Sequence, residues 1–380
     1  MPETTLNFGD PDEFLGAQQI KDFCASVDAA SSRQLASVHD DRDGFQDRLF
    51  RDYGAGFEAM DLVHSAAAEA AQWAKIRVHR SMVDDPDEEF EVFYAVLHGC
   101  CARALSAYAE TAALLRGGFP NGALTRARFL HELLITLGVL AEHGRPDGKH
   151  PELINRYLDH RDIFLPSTVK DLLATQVGDV GSVLDEDVLA LIDQNHRALL
   201  DTYGKSFRQM WGWAAPLFPD WKKAISTRML GELVFPEGHF FYVLTSEHVH
   251  AGSEGLHNVV STREHESVLL AGATNRDLAL PAELATAFLV GIVEYVVPAR
   301  IEADGVVDDT GASLLVGVRH LSEAVSREMG RGEDTVTNAE AVFQDELRRG
   351  LAANRNRRGD ALSAALRAAH RLVRRLRRRL

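Results

Sequence analysis

The chain has 380 residues and a mass of 41.9 kDa, with 46% apolar residues, 26% charged residues and a formal net charge of −15. This is the make-up of one large or two modest globular domains, and it excludes a collagen-like fibre or a disordered chain. The longest uncharged apolar stretches, such as 133–141 and 285–293, fall short of the roughly 18 residues of a membrane span. The three cysteines, two of them adjacent, fit neither a disulfide frame nor a zinc spacing.

The first residues, Met1-Pro2-Glu3-Thr4-Thr5, carry no basic stretch followed by an apolar one, so a cytoplasmic location is expected. Apolar positions then recur at three and four, which predicts helices over 57–83, 88–116, 122–143, 151–176, 185–203, 236–251, 281–297 and 312–329. Alternating β-branched runs with two-residue turns are missing, so an all-α, irregular multi-helix bundle is expected. Breaks are expected at Gly117-Gly118-Phe119-Pro120, at 143–151, and at Gly330-Arg331-Gly332. This divides the chain into a helical region over 1–85, a core over 86–330 and a tail over 335–380.

Charge is unevenly spread. Between Asp345 and Leu380 there are twelve arginines, from Arg348 to Arg379, against three acidic residues. That segment therefore carries +9, and the rest of the chain −24. Asp360 opens a second tail helix, with Leu362, Leu366, His370 and Val373 on one seam and the arginines at its C-terminal end, the polarity a helix dipole favours. Such a tail can lie on the acidic body or reach a nucleic acid or another polyanion.

Two segments carry chemistry. In 117–134, Arg128 and Glu132 stand one turn apart among Phe129, Leu130, Leu133 and Leu134, which puts an ion pair at the edge of a core. In 236–252, His239, Tyr242, Ser246 and His250 fall within an arc of about 80° at 100° per residue. If the two stripes meet, Arg128, Glu132, Tyr242, Ser246 and His250 line one polar cleft able to hold an anion or move protons. The alternative for either stripe is a purely structural one, a clamp or hydrogen-bonded seam between helices.

The stretch from about 90 to 251 resembles the uncharacterised bacterial domain-of-unknown-function family five-six-seven-seven. The resemblance rests on Ala123, Arg128, Glu132, Ser246, Val249, His250 and Gly252. It implies an all-helical fold and no established activity, and it does not extend to the basic tail.

Metal chemistry has little support. Glu247-x-x-His250 and Glu254-x-x-His257 match the unit of di-iron bundles, but they lie on one segment rather than on separate helices. No His-Glu-x-x-His motif, phosphate loop, dinucleotide fingerprint or nucleophile elbow occurs, so no metal or cofactor is expected. Arg126-x-x-x-x-His131 is similar to the spacing of HEPN-type ribonucleases of bacterial toxin and phage-defence systems, with Ala127 where that pattern has a polar residue. The leading expectation is a binding or regulatory module whose cleft takes a small ligand or a protein. The alternatives are a metal-independent ribonuclease using Arg126 and His131, and an assembly protein whose tail seam docks a partner helix.

Overall fold

The computed structural model describes residues 16–84, 86–174, 186–246, 272–297 and 309–355. Every regular element among them is helical, and none is a strand. The helices are α1 (Ala17–Asp84), α2 (Glu88–Arg116), α3 (Pro120–His143), α4 (Glu152–Asp159), α5 (Leu165–Ala174), α6 (Glu186–Tyr203), α7 (Thr227–Val234), α8 (His239–Ser246), α9 (Ala279–Val296) and α10 (Asp309–Arg355). The fold is an all-α bundle, as the periodicity predicts.

Contacts divide the chain into Met1–Asp52 and Tyr53–Leu380. The described part of the first unit is helical and leaves Phe23, Val27, Leu35 and Val38 exposed. The second unit holds the main core. There α3 is its central element, packed on α2, α9, α7 and α8.

Local chemistry sets these helices. The Asp87 side chain accepts from the backbone N–H groups of Glu89 and Phe90, and Glu88, Glu89 and Glu91 occupy the first turn of α2, where the helix dipole favours anions. Gly118, at φ 77°, ends that helix: Gly118 N–H donates to Leu115 and Phe119 N–H to Leu114, a left-handed cap closed at once by Pro120 opening α3. The short turn forces α3 back along α2. On α10, the Glu333 carboxylate accepts from the Tyr53 hydroxyl and from the N–H groups of Asp277 and Leu278, which fixes the start of α9.

Helix α9 has 18 residues and is apolar enough, by length and composition, to cross a membrane. It is instead packed against α2, α3 and α10, with Leu284, Phe288, Leu289, Ile292 and Val293 buried. A helix surrounded by protein reads as apolar on every side.

Several predicted boundaries differ from the structure: the helix expected over 57–83 is the last part of α1, which begins at Ala17, and the one expected from 236 begins at His239 after a 3-10 turn at Pro236–Gly238. The helix expected over 151–176 divides into α4, a 3-10 turn at Asp162–Phe164, and α5. Pro166 lacks an N–H and its ring crowds the preceding turn, so a helix can begin there but not run through it. The break expected at Gly330-Arg331-Gly332 does not form: α10 runs from Asp309 to Arg355. Two glycines cost about 2 kcal/mol of helix propensity, and burial of Val325, Met329 and Val336 on one stripe offsets that. The helix expected from Asp360 and most of the tail arginines lie outside the described residues.

Candidate functional site

Helices α3 and α8 pack against each other and bring distant residues together. Arg128 Nε donates to Glu132 Oε1 at 3.1 Å, and its Nη2 donates to the Tyr242 hydroxyl at 2.9 Å. The guanidinium carbon stands 4.5 Å from the Tyr242 ring centroid. The Arg128 side chain is 11% exposed and that of Glu132 33%. Nη1 of Arg128 is buried and has no hydrogen-bond partner among the described residues.

His131, three residues further along α3, is 1% exposed, and neither of its ring nitrogens has a partner among the described residues. Its ring lies between aromatic neighbours: Phe288 at 5.0 Å, Phe235 at 6.0 Å and Tyr242 at 6.2 Å between centroids. Burial pushes its pKa down to about 4, a hydrogen bond with the Gly238 backbone, too poorly aligned to satisfy the ring nitrogen, opposes the shift, and Arg128 and His239 add to it. Gly238 matters sterically as well, because a Cβ there would meet the Phe235 ring and lie 2.9 Å from His131 Nε2. His239 stacks beside Tyr242 at 6.4 Å, and its buried Nδ1 also has no partner among the described residues.

These side chains border a cavity of about 10 Å³ walled by His131, Thr227, Arg228, Phe235, His239 and Tyr242. That space holds one water-sized group. On the outer side, Arg228 donates to Glu232 at 2.8 Å along α7. The chamber thus combines a neutral imidazole, a phenol polarised by a guanidinium, and a second imidazole, which together can give and accept hydrogen bonds to one small polar group.

Of the residues expected in the cleft, Arg128, Glu132 and Tyr242 lie together. Ser246 is the last residue of α8, and His250 lies outside the described residues, as do Glu247, Glu254 and His257. Arg126 and His131 do not meet: Arg126 is exposed and pairs with Glu110 on α2 at 3.1 Å, whereas His131 faces the interior. Five residues along a helix turn through about 140°, so the two side chains leave on different faces. No group of three or more His, Cys, Asp or Glu able to hold a metal occurs among the described residues. Burial pushes the Cys101 thiol up to about 12, with Cys100 adding to it, and burial also raises Cys100; both behave as packing residues.

The α7 wall has no counterpart in the predicted elements. Eight residues are too few to display a helical period, and the only local signal is Ser226, whose hydroxyl oxygen accepts from Met229 N–H as an N-cap.

Helices α3, α7 and α8, and α2 from residue 94 onward, fall inside one matched segment. Residues 94–267 match the family of unknown function DUF5677. The DUF5677 segment holds the whole described chamber apart from Phe288 of α9, and it ends before α9 and α10. No curated protein and no solved structure matches the chain.

Proposed function

We propose that the DUF5677 segment is a binding or regulatory module whose chamber receives one oxygen of a small oxyanion. The observation that carries this is His131, whose two buried ring nitrogens make no well-aligned hydrogen bond among the described residues, at the edge of a water-sized cavity. A buried polar group without a partner costs about 1–3 kcal/mol, and an entering oxygen recovers that cost. The charge of Arg128, relayed through the Tyr242 hydroxyl, favours an anion over a neutral group. An anion beside His131 also draws a proton onto the ring, so binding takes up protons and tightens as pH falls towards 5.

The test uses the full chain with formate and inorganic phosphate at constant ionic strength. The expected outcome is a rise in melting temperature with formate or phosphate, absent with chloride, as binding to the folded state requires. His131→Phe keeps an aromatic ring among aromatic neighbours and is expected to weaken that response by about tenfold, equivalent to 1.4 kcal/mol. Arg128→Lys keeps the charge but loses the fork that holds both Glu132 and Tyr242, and is expected to weaken it as well. If the wild type ignores both anions while the variants merely melt earlier, the Arg128–Glu132–Tyr242 cluster is a clamp between helices.

A further inference from the structure

A second site lies away from this chamber, where α5 and α6 flank a cleft of about 640 Å³. Small-molecule sites span roughly 300–1,000 Å³. The floor is apolar, made by Ile163, Val169, Leu173, Leu189 and Ile192. Helix α6 has no buried residue, although Val188, Leu191 and Ile192 give it an apolar stripe.

The charges on the cleft are specific. Lys170 and Arg208 both line it, and neither forms an ion pair among the described residues. The acid beside them is Asp193, so two cations stand against one carboxylate. His196 Nδ1 lies 3.1 Å from the Ile163 carbonyl. A carbonyl only accepts, so Nδ1 carries the proton and Nε2 is the ring's remaining polar atom.

The backbone on both sides of Arg208 is held in place. Arg208 lies between Phe207 and Gln209, whose carbonyls both face His160 Nε2, at 3.1 and 2.9 Å. Arg156, buried, donates to the carbonyls of Gly212 and Trp213 and lies over the rings of Tyr203 and Phe207. This buried knot fixes the turn that presents Arg208. A guanidinium carried on a fixed backbone turn beside an apolar floor is an arrangement that can read a carboxylate on a greasy body.

We propose that the α5–α6 cleft binds an amphipathic monocarboxylate, with the alkyl or aryl body on the Ile163–Val169–Ile192 floor and the carboxylate held by Lys170 and Arg208. Asp193 repels a second negative charge, which favours monoanions over dianions. Titration calorimetry on the full chain tests this with decanoate below its micelle concentration, and with decyltrimethylammonium as a cation bearing the same tail.

Decanoate is expected to bind at least about tenfold tighter than the cation, equivalent to about 1.4 kcal/mol. The double variant Lys170→Ala/Arg208→Ala, which changes only exposed side chains, is expected to keep the melting temperature and to weaken decanoate by about tenfold or more. Leu173→Glu, at the open edge of the floor, is expected to weaken both amphiphiles. Decanoate that fails to saturate, a cation that binds as tightly, or a double variant that binds decanoate like the wild type each overturns the proposal.

Discussion

Burial costs His131 its proton, and that has a measurable consequence for stability. An unfolded histidine titrates near 6.5, while the folded ring is pushed down to about 4. Between those values the unfolded chain binds the extra proton, so stability is complete above about pH 6.5 and falls as pH drops towards 4. From pH 7.5 to 5 the loss from this one residue is about 2 kcal/mol. Burial also lowers the pKa of His98 and His160, so the wild-type slope contains their share. The measurement is therefore a difference: urea melts of the wild type and His131→Phe at both pH values, with the variant losing about 2 kcal/mol less. Equal slopes would show that the ring is solvated in the folded chain. At this scale the sequence was partly legible. An arginine and a glutamate one turn apart in an apolar helix signal a pair, and the pair forms. His131 was visible only as a partner for Arg126, because linear spacing conceals the angle between two side chains on a helix.

Element boundaries depend on what each residue touches, which is where glycine misleads. Gly330 and Gly56 are both inside helices of the main core, and periodicity treats them alike. A Cβ on Gly330 meets nothing within 4 Å, so Gly330→Ala removes only the entropy cost of a flexible backbone. It is expected to stabilise by about 0.5–1 kcal/mol. A Cβ on Gly56 would collide with the Met329 side chain and come within 3.2 Å of the Met329 backbone nitrogen. Gly56→Ala is expected to destabilise by about 1–3 kcal/mol, as overpacking does. Chemical denaturation of the two variants checks both signs, and a loss of stability in Gly330→Ala would mean that α10 bends there. The same logic explains why α10 was read as ending at Met329: the glycines were visible, but the stripe continuing to Val336 acts only once a neighbouring helix covers it.

For the molecule as a whole, periodicity identified the all-α class because it is a local property repeated along the chain. The chamber was less legible, since it needs α7, whose eight residues are too short to announce themselves, and Phe288 of α9, which lies beyond the matched family segment. The α5–α6 cleft was not legible at all, because the predicted helix over 151–176 hid the break that creates it. Charge, in contrast, is a property of the whole chain that needs no fold. With +9 in its last thirty-six residues and −24 elsewhere, the protein presents a polyanion with one attractive segment and a repulsive remainder. The last residue of α10 shown in the core is Val336, so deleting residues 348–380 removes no described core contact. The truncated chain is expected to keep its melting temperature and to lose binding to generic single-stranded RNA. The full chain is expected to bind that RNA with an affinity falling steeply with salt, by a slope of about −0.7 per neutralised phosphate. Filter binding across a salt series measures this. RNA binding that survives the deletion, or that ignores salt, would move the contact onto the acidic body, where no summed charge supports it.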